Sequence, residues 1–548
     1  MKRKLIALLL CLTALLTISF VSCGKKDDSD SLEEEASART AVTLTMWIVS
    51  EEAIGTDAEA RIEEAFNELT KAKYTTAVDF VFYTEDEYYE KLDEKLTLAA
   101  ENKLNEAPAI LLPGMAAEAE ETEETEAETF VNEYGQRQLK YPDVEEHQVD
   151  IVFLAGKELL ERYASEGKLS AMDTNLNATS KVLKDYIYPS FLEQIKYEKS
   201  TYAIPNNHLI GEYTYLLINK EMATKYYFDT TKLLSFTDCR DLIMDIAANE
   251  TGIAPVRSYA DPVNMHYWLG NNDMAIVASY VPAQATLGSR TVMRSVFDTA
   301  SFTEHMLLMQ RCEDNGWFAA NPDEDTFGVG IVKGGYELVE QYSDTYDVKV
   351  LSYPTLEEET VYESMYAVTA YTASFDRSME IITLINTNSE AKNLLQYGVK
   401  NTDYEIDDDG NMISLTDTLD AEDRYVMNNL YTGNEFLSYP TAGVPADVWE
   451  NAKAANRDSR VSPYYGLSAD WGNVTEGFIE SLREISDEYI ARMNACTSEE
   501  ELAEFFITAK SELATNELFK GAFSTDADSN SPYAIYSRWF ERLWPSAE

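Results

Sequence analysis

The residues able to do chemistry exclude more reactions in this sequence than they select. Its four histidines, His147, His208, His266 and His305, form no HExxH or comparable metal spacing, and neither GxSxG nor GxxxxGK[ST] occurs. The run Gly328-Val-Gly330-Ile-Val-Lys-Gly334 has one residue too many for a dinucleotide fingerprint. Asp407-Asp408-Asp409-Gly410 invites a calcium loop. With Gly410 at the sixth position, however, Glu405 is first and Thr416 twelfth, where a bidentate Glu is required, so the run reads as a turn. The 97 acidic residues offer endless carboxylate pairs for glycoside hydrolysis and single out none. The sequence therefore predicts no catalytic residue, no metal site and no cofactor. What remains are side chains suited to holding a ligand. Asn206 and Asn207, with His208, interrupt an apolar stretch directly after Pro205. Their amides offer donors and an acceptor to a hydroxyl-rich or amide-rich ligand, with turn formation as the alternative.

Such side chains need strand ends and helix starts to hold them. AVTLTMWIV, from Ala41, alternates and is β-branched, which predicts a strand. DAEARIEEAFNELTKAKY follows with Ile62, Ala65, Phe66 and Leu69 at helical spacing, then a strand VDFVFYT and a helix EYYEKLDEKLTLAAEN. Strand alternating with helix predicts α/β layers with parallel pairing. VDIVFLAG resumes the sheet, followed by a helix over 157–166 that Gly167 stops. Tyr202 to Pro205 and TYLLINK are further strands, DTFGVGIVKGGYELVEQY is a strand-to-helix unit, and YEIDDDGNMISL is a hairpin. From Asn473 the text is mostly helical, with Phe478, Leu482, Ile485, Tyr489 and Ile490 on one stripe.

The first forty residues address the chain. Lys2, Arg3 and Lys4 precede an apolar stretch from Leu5 to Val21, the build of a secretory signal. Phe20-Val21-Ser22-Cys23-Gly24 resembles a bacterial lipobox, which makes Cys23 the expected acylated residue and the polar segment after it a disordered tether; a plain cleaved signal with an incidental cysteine, or an uncleaved anchor, is the alternative. Removing residues 1–22 deletes three basic and no acidic residues, so the formal charge moves from −53 to −56. That field argues against nucleic acid as a partner. Beyond Cys11 and Cys23, only Cys239, Cys312 and Cys496 remain, and no disulfide framework is expected. AAEAEETEETEAETF reads as a solvated acidic insertion.

Three segments, taken in order, resemble the extracellular solute-binding lipoproteins of ABC importers, of the oligosaccharide type in bacterial family 1. They are VDIVFLAGKELLERYASEGKLSAMDTNL, TYAIPNNHLIGEYTYLLINKEM, and LLQYGVKNTDYEIDDDGNM with the later NLYTGNEFLSYP and VWENAKAANR. The resemblance covers most of residues 41–500. It implies an α/β, two-lobed periplasmic-binding-protein-like (type II) fold with hinge strands and a helical C-terminal region. The expected parts are a signal peptide (1–22), a tether (23–40), a first lobe (41–213 with 366–432, acidic insert 115–148) and a second lobe (214–365 with 433–548). Crossings are expected near Gly211–Leu216, Ser364–Tyr371 and Tyr431–Pro440, with lobes closing on a ligand and no reaction. The resemblance also implies ligand contacts at Trp47 and Glu51 after the first strand, at Lys157 and Glu158 after VDIVFLAG, at Glu212 before TYLLINK, and at Tyr336. Tyr371 and Trp471 are added as aromatics. Core packing is the alternative for the tryptophans and Tyr371, helix capping for Lys157 and Glu158, and an exposed loop acid for Glu212. The implied partners are a polar small-molecule solute, an oligosaccharide first and a peptide second, the subunits of an ABC permease, and the membrane through the lipid anchor. The chain would act as a monomer on the extracytoplasmic face; a surface glycoside hydrolase is the competing reading.

Overall fold

The computed structural model describes residues 39–105, 129–131, 137–232, 235–260, 268–269, 277–280, 292–445, 447–462, 476–524, 531, 533–534 and 537–538. Contacts divide the chain into unit 1, Met1–Asn207 with Tyr362–Ala442, and unit 2, His208–Val361 with Gly443–Glu548. Residues 208–213 thus belong to unit 2, and 362–365 and 433–442 to unit 1, against the expected boundaries. Local pairing explains the shift. Tyr213 already sits opposite Gly334 in the unit 2 sheet, and Asn434 Nδ2 donates to the Asn386 carbonyl at 3.2 Å in unit 1.

The strands of the two principal sheets are β1 (Val42–Ser50), β2 (Thr76–Thr84), β3 (Ile151–Leu154), β4 (Ala203–Pro205), β5 (Tyr213–Asn219), β6 (Ala254–Val256), β7 (Phe327–Gly334), β8 (Tyr346–Ser352) and β9 (Met365–Val368). Unit 1 orders them β2-β1-β3-β9-β4. β1 pairs in parallel with β2 and β3, whereas β9 runs antiparallel to β3 and β4. The helix Thr56–Tyr74 connects β1 to β2 and buries Ala58, Ile62, Phe66 and Thr70, the four-residue spacing of one helical face. It also manages the free edge of β2. Asn67 donates to the Val78 carbonyl at 2.8 Å and accepts from its N–H at 2.7 Å, while Glu63 accepts from Phe80 N at 3.2 Å. An edge strand so occupied offers little to another chain. Where the β1–β3 ladder stops, the buried Tyr88 hydroxyl lies 3.1 Å from the Trp47 carbonyl and 3.0 Å from that of Phe153.

The expected acidic insert is shorter than 115–148. Residues 140–148 dock on β1: Thr43 Oγ1 donates to the Pro142 carbonyl at 2.5 Å and Gln148 Nε2 to the Thr43 carbonyl at 2.8 Å. Residues 115–128 of that insert, most of its low-complexity run, lie outside the described residues, as does Cys23.

Unit 2 carries a mixed sheet, β8-β5-β7-β6, in which β5 is antiparallel to both neighbours and β6 is parallel to β7. One face packs Leu216, Ile218, Val329 and Ile331 against the helices Arg240–Asn249 and Ala300–Asp314. The other gathers Tyr213, Tyr215, Leu217, Phe327 and Tyr346. A further core joins Phe297 and Phe302 to the helices Glu476–Asn494, Glu499–Thr515 and Glu517–Ala522. Leu482 and Tyr489 are buried in it, with Phe478, Ile485 and Ile490 packed alongside, as the stripe predicts. Cys239, Cys312 and Cys496 are unbridged, and burial pushes the thiols of Cys239 and Cys312 up to about 12.

Candidate functional site

Ligands of α/β sheets gather where parallel strands end at their carboxyl edge. In unit 2 that edge is made by β6 and β7, and a cavity of about 510 Å³ opens there. The volume lies within the roughly 300–1,000 Å³ common for small-molecule sites. Arg257 and Tyr259 enter it from the segment after β6, Lys333 from the end of β7, and Gln341 and Tyr342 from the helix Glu337–Tyr342.

Two glycines in β7 make the arrangement possible. A Cβ on Gly328 would stand 2.3 Å from Ile246 Cδ1, so that glycine lets the helix Arg240–Asn249 close on the sheet. A Cβ on Gly330 would stand 2.7 Å from Phe327 Cε2, 2.9 Å from Arg257 Cβ and 3.3 Å from its Cδ. Glycine inside a strand marks such a close approach. The Arg257 stem therefore lies against β7 itself, anchored by its backbone N–H to the Val329 carbonyl at 2.9 Å. The guanidinium reaches Asp323 Oδ1 at 2.7 Å and Ser258 Oγ at 3.4 Å, and its buried Nε has no hydrogen-bond partner among the described residues.

Tyr336 caps the helix Glu337–Tyr342, is 48% exposed, and meets Tyr213 edge-on at 6.4 Å between ring centroids. Burial, reinforced by Asp458 at 2.7 Å, holds the Tyr213 phenol well above its ordinary range, so it stays a neutral donor. Glu212 is exposed immediately before β5.

In unit 1 the predicted residues separate into groups. Glu51 is exposed in the turn after β1, and Glu158 is exposed in the first turn of the helix Lys157–Ser165. Lys157 opens that helix and pairs along it with Glu161 at 4.0 Å. Trp47 is only 5% exposed; its ring stacks on Tyr83 at 5.8 Å and meets Tyr88 edge-on, so it packs in the core. Asn206 and Asn207 are structural as well. Asn206 is fully buried and donates to Ser364 Oγ at 2.9 Å and the Leu430 carbonyl at 3.3 Å, and Asn207 Oδ1 accepts from Tyr188 N at 2.9 Å. Tyr371 lies at the wrong end of the sheet. Because β9 runs antiparallel, Val368 pairs with Ile151 at the amino end of β3, and the chain leaves toward Tyr371 there. Trp471 lies outside the described residues.

This architecture has relatives. The crystal structure of an N-glycan transport solute-binding protein from Streptococcus pneumoniae superposes with a TM-score of 0.53 at 14% identity, covering 91% of this chain and 99% of that one. The chain has the two-domain fold of a solute-binding protein. No protein-family model matches it. In sequence it is similar to a carbohydrate ABC transporter substrate-binding protein of Streptococcus pneumoniae serotype 4, 21% identical over 328 residues. That match takes in 57% of this chain and spans 65% of the length of the curated relative. Both relatives are transport proteins by name. Among the described residues no helix is long and apolar enough to cross a membrane, and no group of His, Cys, Asp and Glu is set to hold a metal.

Proposed function

We propose that the chain captures an oligosaccharide outside the cytoplasm and delivers it to an ABC permease, held to the membrane by a lipid on Cys23 and acting as a monomer. The observation that supports this reading is the unit 2 cavity, where aromatic rings and a few hydrogen-bonding side chains converge at a parallel-strand edge. Tyr259 and Tyr342 line the cavity, and tyrosine rings suit the apolar side of a pyranose. Gln341, Arg257 and Lys333 offer donors to its hydroxyls. Tyr336 and Glu212 extend the same reading within unit 2, and Glu51, Lys157 and Glu158 are its proposed contacts in unit 1. Such a site binds without turnover, because its role is differential affinity between conformations.

Thermal denaturation of the full chain against a panel of oligosaccharides and short peptides tests the proposal. At a free sugar concentration of about 100 Kd, binding stabilises the native state by about 2.7 kcal/mol. For domains of this size that raises Tm by roughly 5–10 °C. Stabilisation by peptides alone, or hydrolysis of the sugar that stabilises, would replace this reading.

A further inference from the structure

The unit 2 cavity carries a charge pattern that a neutral sugar leaves unused. Its charged lining residues are Arg257, Lys333 and Asp323, two cations to one anion, in a chain with 44 basic and 97 acidic residues. Asp323 does not saturate the guanidinium. Its one contact, from Arg257 Nη2, goes to a carboxylate that is itself 83% exposed and therefore screened by solvent. Nη1 has a long contact to Ser258, and Nε is buried without an acceptor among the described residues. Lys333 is exposed, with no ion pair among the described residues. An unpaired buried donor is costly, and the Arg257 stem lies close against β7 at Gly330, where a Cβ would meet both Phe327 and Arg257.

We propose that the saccharide held at this site bears an anionic group, a carboxylate or a sulfate ester, taken by Arg257 and Lys333. The proposal rests on the saccharide-capture reading and narrows its ligand class. The planar guanidinium matches a two-oxygen anion in a way a hydroxyl does not, since its two terminal nitrogens donate in one plane along one edge. Asp323, weakly held and solvent-exposed, swings away without a large loss. Lys333 supplies a second, mobile charge, while Tyr259 and Tyr342 receive the ring that carries the acid.

Calorimetric titration of the full chain with matched probes tests this. The pairs are lactose against 3′-sialyllactose, xylotriose against its glucuronic-acid-substituted counterpart, and lactose against 3′-sulfated lactose. The acidic member of at least one pair should bind tenfold or more tighter than its neutral partner. The sialyl and glucuronyl arms against the sulfated arm identify which anion is used. Arg257→Gln should cut that preference tenfold or more, and Lys333→Gln, on an exposed side chain that cannot upset folding, should also lower it. Neutral members bound as tightly as acidic ones would overturn the inference and leave saccharide capture standing. No saccharide binding by a chain with a normal melting transition would overturn both. An acid preference unchanged in both variants would place the anion elsewhere and overturn the assignment.

Discussion

Asp150→Asn should cripple unit 1. The carboxylate is fully buried at the start of β3. Its Oδ2 accepts from Thr45 N at 2.8 Å, Thr45 Oγ1 at 3.1 Å and Gln148 Nε2 at 2.7 Å, and its Oδ1 from Thr372 Oγ1 at 2.7 Å and Ala373 N at 2.6 Å. One side chain thus ties β1, β3 and the turn after β9. Asparagine keeps the shape but replaces one oxygen with a donor. Placed at Oδ2 it meets Thr45 N and Gln148 Nε2; placed at Oδ1 it meets Ala373 N and the Thr372 hydroxyl. Either way at least two charge-assisted bonds are lost at about 1.5–3 kcal/mol each, so the loss is roughly 3–6 kcal/mol. That is comparable with the whole stability of a domain, about 5–15 kcal/mol. Thermal unfolding of the full chain should show the unit 1 transition lowered by roughly 6 °C or more. The unit 2 transition should be retained, because its cores draw on unit 2 residues alone. A wild-type unfolding curve would show that the five contacts are not what holds these three segments together.

Asn206→Ala should lower the stability of unit 1 by about 1–3 kcal/mol and leave saccharide affinity unchanged, since Ser364 and the Leu430 carbonyl keep a bond to each other; a loss of affinity with normal melting would return Asn206 to the ligand. Lys392 is fully buried among the Asn429 carbonyl, Thr432 Oγ1 and Gln396 Oε1, and burial holds its pKa well below the usual lysine value, Glu435 opposing. Its unfolded form binds the proton more readily, so stability should rise with pH toward about 10.4, and the wild type should gain on Lys392→Met as pH rises toward that value in paired melting curves; parallel curves would contradict the depressed pKa. Cys23→Ser should leave the chain uncleaved or released, read by membrane fractionation after a high-salt wash; a cleaved variant that still sediments would remove the lipid anchor.

The elements were legible wherever one periodicity ran long enough. The helix after β1, the strand-to-helix unit ending at Tyr342 and the stripe from Phe478 to Ile490 all follow from spacing. The solute-binding fold followed from the order of three segments rather than from any one. Alternation was misleading in β1, where Thr45, Met46, Trp47, Ile48, Val49 and Ser50 are all buried, because a parallel strand between neighbours is covered on both faces. The resemblance sets Trp47 at the end of that strand, but β1 runs on to Ser50 and holds the ring inside. Asn206 and Asn207 failed differently. Their residue types suit a ligand, but Asn206 is claimed by groups 158 and 224 residues downstream, a distance no local pattern encodes.

Tyr371 and Arg257 separate composition from topology most clearly. Both follow a short strand, and nothing in either segment says which way its neighbour runs. β9 lies antiparallel to β3, so the residues after it emerge at the amino edge and carry Tyr371 away from the ligand-binding end. β6 lies parallel to β7, so the residues after it emerge at the carboxyl edge and carry Arg257 into the cavity. One local signal could have found the arginine. Gly328 and Gly330 fall inside an apolar strand, and once a nucleotide fingerprint is excluded, glycines there require close neighbours. Gly328 answers to Ile246 and the Pro255 carbonyl, and Gly330 to Phe327 and Arg257. The glycines thus mark where helix and arginine press on the strand, and the second of them points to the residue on which the anionic-saccharide proposal stands.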